Sequence, residues 1–204
     1  MESPITYALI GITCVVSWIA FNNRKLADRL ILWPPAIDKH RQYDRLLTYG
    51  FIHADFMHLL FNMITLFFFG PLIEQLMGRI GVWVFPVFYL SALVVSILPT
   101  YLKNQKNPNY LSLGASGAVS AVLFAFILLQ PWQLIFVFFI PLPAIVFAVL
   151  YLGYSIWMDK RGGDRINHSA HLSGAAYGVL FMVVMEPRVL GYFLSQLQQP
   201  TFGG

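Results

Sequence analysis

Long apolar stretches, separated by polar segments or prolines, set the pattern of this chain. Six of them lie at about 5–21, 57–77, 82–101, 115–129, 143–157 and 167–185. A helix needs about 20 apolar residues to cross a bilayer, and lipid cannot satisfy backbone groups outside a helix or closed barrel. The pattern therefore predicts an all-α polytopic membrane protein, with six transmembrane helices in a single domain over residues 1–204.

The connection between the first two apolar stretches is unusually long, from Asn22 to Phe56. It contains the pair Pro34-Pro35, and residues 30–33 and 43–51 are amphipathic enough to lie among lipid headgroups. We therefore expect a long interfacial first loop. The first apolar stretch itself follows no basic segment, so we expect a retained span and not a signal peptide.

The fourth apolar stretch is short for a full crossing. We expect it to begin below the membrane surface, at the end of an indented loop that lines a cavity. Residues 132–140 are aromatic-rich and precede Pro141 and Pro143, which favours an interfacial segment. The fifth stretch is a candidate moving wall of the bundle, although lipid-facing packing explains its composition equally well.

Composition agrees with a membrane protein. The chain is 58% hydrophobic and only 11% charged, whereas soluble domains are about a quarter charged. Its net charge of +4 comes from basic residues scattered between the apolar stretches, which is typical of membrane-flanking loops and does not indicate nucleic-acid binding. Cys14 is the only cysteine, so neither a disulfide framework nor a cysteine metal site is expected.

The fourth apolar stretch opens with a serine between two glycines, Gly114 and Gly117. If a helix begins at Ser116, its first turn has unpaired N–H groups and the positive end of the helix dipole. A negatively charged reaction intermediate could satisfy those groups. Close packing of helices is the common alternative reason for small residues in a membrane.

Four of the five histidines lie at the starts of two predicted spans: His53, His58, His168 and His171. With six spans, the starts of the second, fourth and sixth share one membrane face, so His58, Ser116 and His171 lie on the same side. Ionisable groups at such depth indicate function. A histidine metal site is an alternative, but no carboxylate or His-Glu motif accompanies them. We therefore expect neither a metal nor a cofactor.

The sixth span has small residues at a spacing of four: Ala170, Gly174 and Gly178. This ridge could press against Gly117 and its neighbours and bring His171 within reach of Ser116. A serine hydroxyl becomes a good nucleophile when a base takes its proton. Because neither span has a carboxylate nearby, we predict a Ser–His dyad. Taken alone, a histidine such as His171 is more often an interhelical hydrogen-bonding residue.

His58 and Asn62 are four residues apart and share a helix face. Both could donate hydrogen bonds to an oxyanion beside the N–H of Ser116. The alternative is that they hold the long first loop in place.

Three motifs together resemble the rhomboid family of intramembrane serine proteases. They are Gly114-Ala115-Ser116-Gly117, His58-Leu59-Leu60-Phe61-Asn62 and Ala170-His171-Leu172-Ser173-Gly174. The resemblance implies a rhomboid-like bundle with Ser116 as nucleophile and His171 as base. It also implies an oxyanion hole made by His58, Asn62 and the Ser116 N–H, and structural roles for Glu74 and Arg79.

Two positions depart from the family pattern. Many members carry Trp-Arg in the first loop, where this chain has Asp44-Arg45. Some carry a tyrosine four residues after the nucleophile that packs on the base, where this chain has Ser120. The histidine is therefore expected to be supported in a different way.

Membrane orientation is predicted differently by charge and by resemblance. All but two of the 13 Lys and Arg residues lie in the first, third and fifth loops, the exceptions being Arg79 and Arg188. The positive-inside rule puts that face in the cytoplasm, whereas the family usually opens its site to the outside. We follow the resemblance and expect a multi-pass protein of the cell (inner or plasma) membrane.

The predicted function is hydrolysis of peptide bonds in or near transmembrane segments of other membrane proteins. Its expected partners are those substrates and membrane lipids, in an oligomeric state that the sequence leaves open. One alternative is a catalytically inactive rhomboid-like protein that binds membrane clients. Another is a small transporter or channel with a histidine-lined path.

Overall fold

A computed structural model describes residues 3–137, 139–163 and 166–200. Over these residues the chain is mostly helical. The helices are α1 (Pro4–Asn22), α2 (Arg24–Leu30), α3 (Pro34–His40), α4 (Arg45–Thr48), a 3-10 turn (Tyr49–Phe51), α5 (Phe56–Gly78), α6 (Val84–Asn104), α7 (Ser116–Leu129), α8 (Ala144–Arg161), α9 (His168–Met185) and α10 (Val189–Leu197).

Within the described residues, four helices are long and apolar enough to cross a membrane: α1, α5, α6 and α9. They coincide with the first, second, third and sixth predicted spans. α7 is apolar but has 14 residues, a length of about 21 Å at the usual helical rise. α8 has 18 residues but ends in Asp159, Lys160 and Arg161. The count of six crossings therefore stays a prediction.

The all-α prediction is wrong in one place. Residues Leu134–Val137 (β1) and Ile140–Pro143 (β2) form an antiparallel hairpin in which Leu134 pairs with Pro143. Pro143 then precedes the first residue of α8, so the proline that ends the hairpin also opens the helix. The tail after Glu186, for which no element was predicted, contains α10.

α7 is the central helix of the bundle. Twelve of its 14 residues are buried, and α5, α6 and α9 pack around it. Its contact with α9 is close enough for backbone to meet backbone. A Cβ added at Gly174 would overlap the carbonyl of Gly117, and one added at Gly178 would overlap the carbonyl of Ala121.

The connection between α1 and α5 is folded into short helices and held by one buried arginine. The guanidinium of Arg45 donates to the carbonyls of Asp28 and Ile31 at 2.8 and 2.6 Å, and to the side chain of Gln42 at 2.6 Å. The preceding residue, Asp44, forms an ion pair with Arg29 at 2.7 Å. In this chain Arg45 thus joins the start of the connection to its end.

A buried carboxylate attaches α1 to α5. Glu74, near the end of α5, accepts hydrogen bonds from the backbone N–H groups of Ile5 and Thr6 at 3.0 and 2.7 Å. These groups belong to the first turn of α1, where N–H groups have no intrahelical acceptor and a negative charge is favourable. The start of α1 therefore lies beside the end of α5.

Candidate active site

Ser116 and His171 lie within hydrogen-bonding distance. The Oγ of Ser116, the first residue of α7, is 2.7 Å from Nε2 of His171 in the first turn of α9. Both side chains are partly buried. The glycine contact between α7 and α9 accounts for this approach, because side chains at that crossing would hold the two helices apart.

Two hydrogen bonds fix the loop just before Ser116. The N–H of Gly114 donates to the carbonyl of Tyr49 at 3.0 Å, and the N–H of Ala115 donates to Nε2 of His53 at 3.3 Å. The first hydrogen bond within α7 is donated by Val119 to the carbonyl of Ala115. The N–H of Ser116 thus belongs to the first helical turn, which has no intrahelical acceptor.

Position 114 requires a glycine for two reasons, its backbone conformation and the lack of space for a side chain. Its φ of +112° lies in a region that only glycine adopts readily. A Cβ there would also lie 2.6 Å from Cε1 of His58. The imidazole of His58 therefore packs directly on the loop that leads to the serine.

His53 is a site residue whose role sequence reasoning did not assign. It is 4% exposed. Because Nε2 accepts from Ala115, its proton lies on Nδ1, which is 3.0 Å from the hydroxyl of Ser17; that hydroxyl donates to the carbonyl of Phe51. Burial, reinforced by His58 and opposed by Asp55, lowers the pKa of His53 to about 3. It therefore remains a neutral acceptor near neutral pH.

His58 and Asn62 lie one turn apart on α5. The Nδ2 of Asn62 donates to the backbone carbonyl of His58 at 2.8 Å, and the Asn62 side chain is buried. An amide nitrogen has two donor hydrogens, so the second is left for another acceptor. The N–H of His58 is itself bonded to the side chain of Asp55, which caps the helix.

The start of α9 is tied to the loop that precedes Ser116. The Asn167 side chain caps α9 by accepting from the N–H of Ala170, and its Nδ2 donates to Ser112 at 3.2 Å. Ser112 in turn pairs through its backbone with Leu32 of the first connection. Three separate parts of the chain thus meet around the serine loop.

The aromatic residue Tyr151 lies beside His171. This residue comes from α8, and its ring lies parallel to the imidazole of His171, with 6.0 Å between centroids and 15° between planes. Its hydroxyl is 2.7 Å from the hydroxyl of Ser120. Helix periodicity could not have found Tyr151, because the contact joins two helices.

A histidine metal site was the alternative that the sequence left open. Among the residues that the structure describes, no group of three or more His, Cys, Asp and Glu side chains is arranged to hold a metal ion. His53 is engaged with Ser17 and Ala115, and His168 contacts the rings of Tyr154 and His171.

A cavity of about 590 Å³ lies at the far end of the bundle from Ser116. Its walls include the ends of α5, α7 and α9 and the start of α10, among them Met77, Leu129, Met185 and Val189. Because Leu129 is the last residue of α7 and Ser116 the first, this cavity does not adjoin the Ser116–His171 pair.

The apolar helices and the serine–histidine pair between them place this chain in a class of proteins. These are the polytopic membrane proteins that have a polar site inside the helical bundle. Comparison with known proteins gives the family. The model of the rhomboid domain matches residues 40–188, and the chain belongs to the rhomboid family. It is an integral membrane protein.

Curated relatives include a bacterial protein and several proteins that are named as mitochondrial. "RHOMBOID-like protein 12, mitochondrial" of Arabidopsis thaliana is 31% identical over 81% of this chain and 53% of the relative. "Putative rhomboid protease YdcA" of Bacillus subtilis is 25% identical over 87% and 86%. "Presenilin-associated rhomboid-like protein, mitochondrial" of Bos taurus is 32% identical over 76% and 43%. The chain thus spans about half the length of the first and third of these relatives.

Proposed function

We propose that this protein is an intramembrane serine endopeptidase that hydrolyses peptide bonds in or near transmembrane segments of other membrane proteins. The observation that carries the proposal is the 2.7 Å separation of Ser116 Oγ and His171 Nε2 at the start of a short central helix. A serine beside an imidazole that can take its proton is an activated nucleophile. Membership of the rhomboid family supports the same chemistry.

In the proposed reaction the Ser116 Oγ attacks the scissile carbonyl carbon while His171 Nε2 accepts the hydroxyl proton. The carbonyl oxygen becomes an oxyanion, stabilised by the N–H of Ser116 and by the side chains of His58 and Asn62. Collapse of the tetrahedral intermediate breaks the C–N bond, and His171 returns its proton to the leaving amine. Water, deprotonated by His171, then hydrolyses the acyl-enzyme and regenerates Ser116.

The membrane arrangement is part of the proposal. α7 and α8 are the fourth and fifth of six crossings, and the connection over α2–α4 lies along the membrane interface. With α7 about 21 Å long against a hydrocarbon core of about 30 Å, its first residue can lie below the bilayer surface. We propose the cell membrane as the location, with the site open to the outside.

Cleavage of a membrane-inserted reporter tests this function. A single-span protein is reconstituted into liposomes with the enzyme, once with Gly and Pro in the span and once with leucine throughout. We expect cleavage of the first and little of the second, because the peptide must leave the helix to reach Ser116. Ser116→Ala should abolish cleavage at unchanged thermal stability, whereas Ser195→Ala, an exposed serine on α10, should have no effect. Cleavage that survives Ser116→Ala would refute the proposal.

A further inference from the structure

An aromatic ring from α8 lies beside the imidazole of His171. The Tyr151 ring is nearly parallel to the imidazole, at 15° and a centroid distance of 6.0 Å. It also contacts Phe124 of α7 at 5.7 Å and Phe147 of its own helix at 5.6 Å. The ring is thus held from two further sides while it lies beside the histidine.

The hydroxyl of Tyr151 attaches the ring to the helix that carries Ser116. It lies 2.7 Å from the hydroxyl of Ser120, which is buried on α7. Residues 116 and 120 are one turn apart and share a helix face. A short chain of contacts therefore runs from Ser116 along α7 to Ser120, across to Tyr151, and through the stacked rings to His171, which returns to Ser116 at 2.7 Å.

Around Tyr151, α8 meets the bundle along a narrow face. The buried residues of α8 are Ala144, Ala148 and Ser155; together with Tyr151 they follow a spacing of four, three and four, typical of one helix face. The other three are small, so Tyr151 is the large side chain of this stripe. One turn further on, Tyr154 contacts His168 edge-on at 5.6 Å, a second tyrosine–histidine pair between α8 and α9.

We propose that Tyr151 is a positioning residue that sets the orientation of His171 towards Ser116. This inference rests on the proposed function. Stacking against a fixed ring restricts rotation of the imidazole, and the bond to Ser120 fixes that ring relative to the nucleophile's own helix. Because Tyr151 lies on α8, the alignment of base and nucleophile depends on α8 being seated against α7 and α9.

The test uses a fluorophosphonate probe on the full-length protein in detergent, with the maximal labelling rate and the half-saturating probe concentration measured separately. Tyr151→Leu should lower the maximal rate roughly 10- to 100-fold, the scale expected when a catalytic group is misplaced by about 1 Å, with the half-saturating concentration unchanged. Tyr151→Phe retains the ring, so its rate should fall much less than the rate of Tyr151→Leu. Loss of the hydroxyl contact, there or in Ser120→Ala, should cost roughly 2- to 10-fold, the size of one neutral hydrogen bond.

Tyr154→Leu is the matched control, since it makes the same substitution on the same helix beside a histidine outside the pair. It should leave the rate within about twofold of the starting protein. Equal losses for Tyr151→Leu and Tyr154→Leu, or no loss for Tyr151→Leu, would overturn the inference while labelling of Ser116 in the unmodified protein still supports the proposed function. If the unmodified protein is not labelled at all, both fall together. Should Tyr151→Leu not fold, Tyr151→Met is measured in its place against the same expectation.

Discussion

The helices α7 and α8 both contribute to the candidate site, yet they are held very differently. α7 has 12 of its 14 residues buried, whereas α8 has three of 18. α8 exposes large apolar side chains along its outer face, among them Val149, Leu150 and Trp157. Ser116 thus lies on a helix that is almost entirely enclosed, whereas Tyr151, whose ring stacks on His171, lies on a loosely enclosed one.

This division suits a protease that must admit a helix from the lipid. Ser116 and His171 lie on α7 and α9, whose backbones meet at Gly117 and Gly174, and His58 lies on α5, which packs against α7. α8 packs beside the site with only three of its residues buried, and Phe139, in the hairpin before it at the other end of the bundle, is 94% exposed. We therefore expect substitutions on the two sides to have different consequences.

The largest effect is expected at His58, one of the proposed oxyanion donors. His58→Ala should lower the rate of reporter cleavage by about 10²–10³-fold, the cost of one oxyanion-hole donor, equivalent to about 2.7–4 kcal/mol. Initial rates in liposomes measure it, with Ile64→Ala, an exposed position on the same helix, as the control. Full activity in His58→Ala would mean that the imidazole packed on Gly114 has no part in catalysis.

Adding one methyl group at a glycine should distinguish the close α7–α9 contact from the loosely packed α8. Gly174→Ala places a Cβ onto the carbonyl of Gly117, whereas Gly153→Ala on α8 meets open space. We expect the first to destabilise the protein by roughly 1–3 kcal/mol through overpacking. The second should be neutral or stabilise it by about 0.5–1 kcal/mol, since alanine is the better helix former. Thermal unfolding in detergent measures both.

Equal melting temperatures for these two variants would contradict the comparison. That result would mean that the α7–α9 contact can open without cost. Labelling of Ser116 should fall with stability in Gly174→Ala only, because separation of the two helices also moves His171 away from Ser116.

Acid should destabilise the protein by protonating His53, whereas His53 should have no such effect at neutral pH. Its folded pKa of about 3 lies below the ordinary value of 6.5, so the unfolded chain binds the proton more readily. This stabilisation is complete above pH 6.5 and is lost as pH falls towards 3, by at most about 1.4 kcal/mol for each pH unit. His53→Gln keeps an acceptor for Ala115 but cannot titrate. Melting temperatures between pH 7 and pH 4 should therefore fall less in His53→Gln.

The control for this experiment is the exposed His40 of the first connection. His40→Gln should retain the acid sensitivity of the unmodified protein. If the melting temperature of His53→Gln falls in acid as much as that of His40→Gln, loss of the hydrogen bond from Ala115 to His53 is not what destabilises the protein in acid.

Much of the helical framework could be predicted from the sequence, because long apolar stretches bounded by polar residues have few other solutions in a membrane. The ends of α1, α5 and α9 lie within one residue of the prediction and those of α6 within three, which is close to the usual uncertainty of helix ends. The hairpin was not predicted. Pro141 and Pro143 do indicate a break in the helix, but strand pairing depends on a partner segment that periodicity does not reveal.

Within the candidate site, the sequence led to the residues that have local signatures. Gly114, Ser116, His58 and His171 stand out as polar or glycine positions within apolar stretches. Tyr151 and His53 do not, since a tyrosine in an aromatic-rich helix and a histidine in a loop have many ordinary roles. Their relevance comes from distances between segments, such as the 3.3 Å from Ala115 N to His53 Nε2.

The central claim is that the Ser116 hydroxyl is activated by His171. Mass spectrometry of the protein after reaction with a fluorophosphonate tests it most directly, because it identifies the modified side chain. We predict a single adduct on Ser116 that is absent in Ser116→Ala and in a folded His171→Asn variant. An adduct on another serine, or undiminished modification of Ser116 in His171→Asn, would contradict the account.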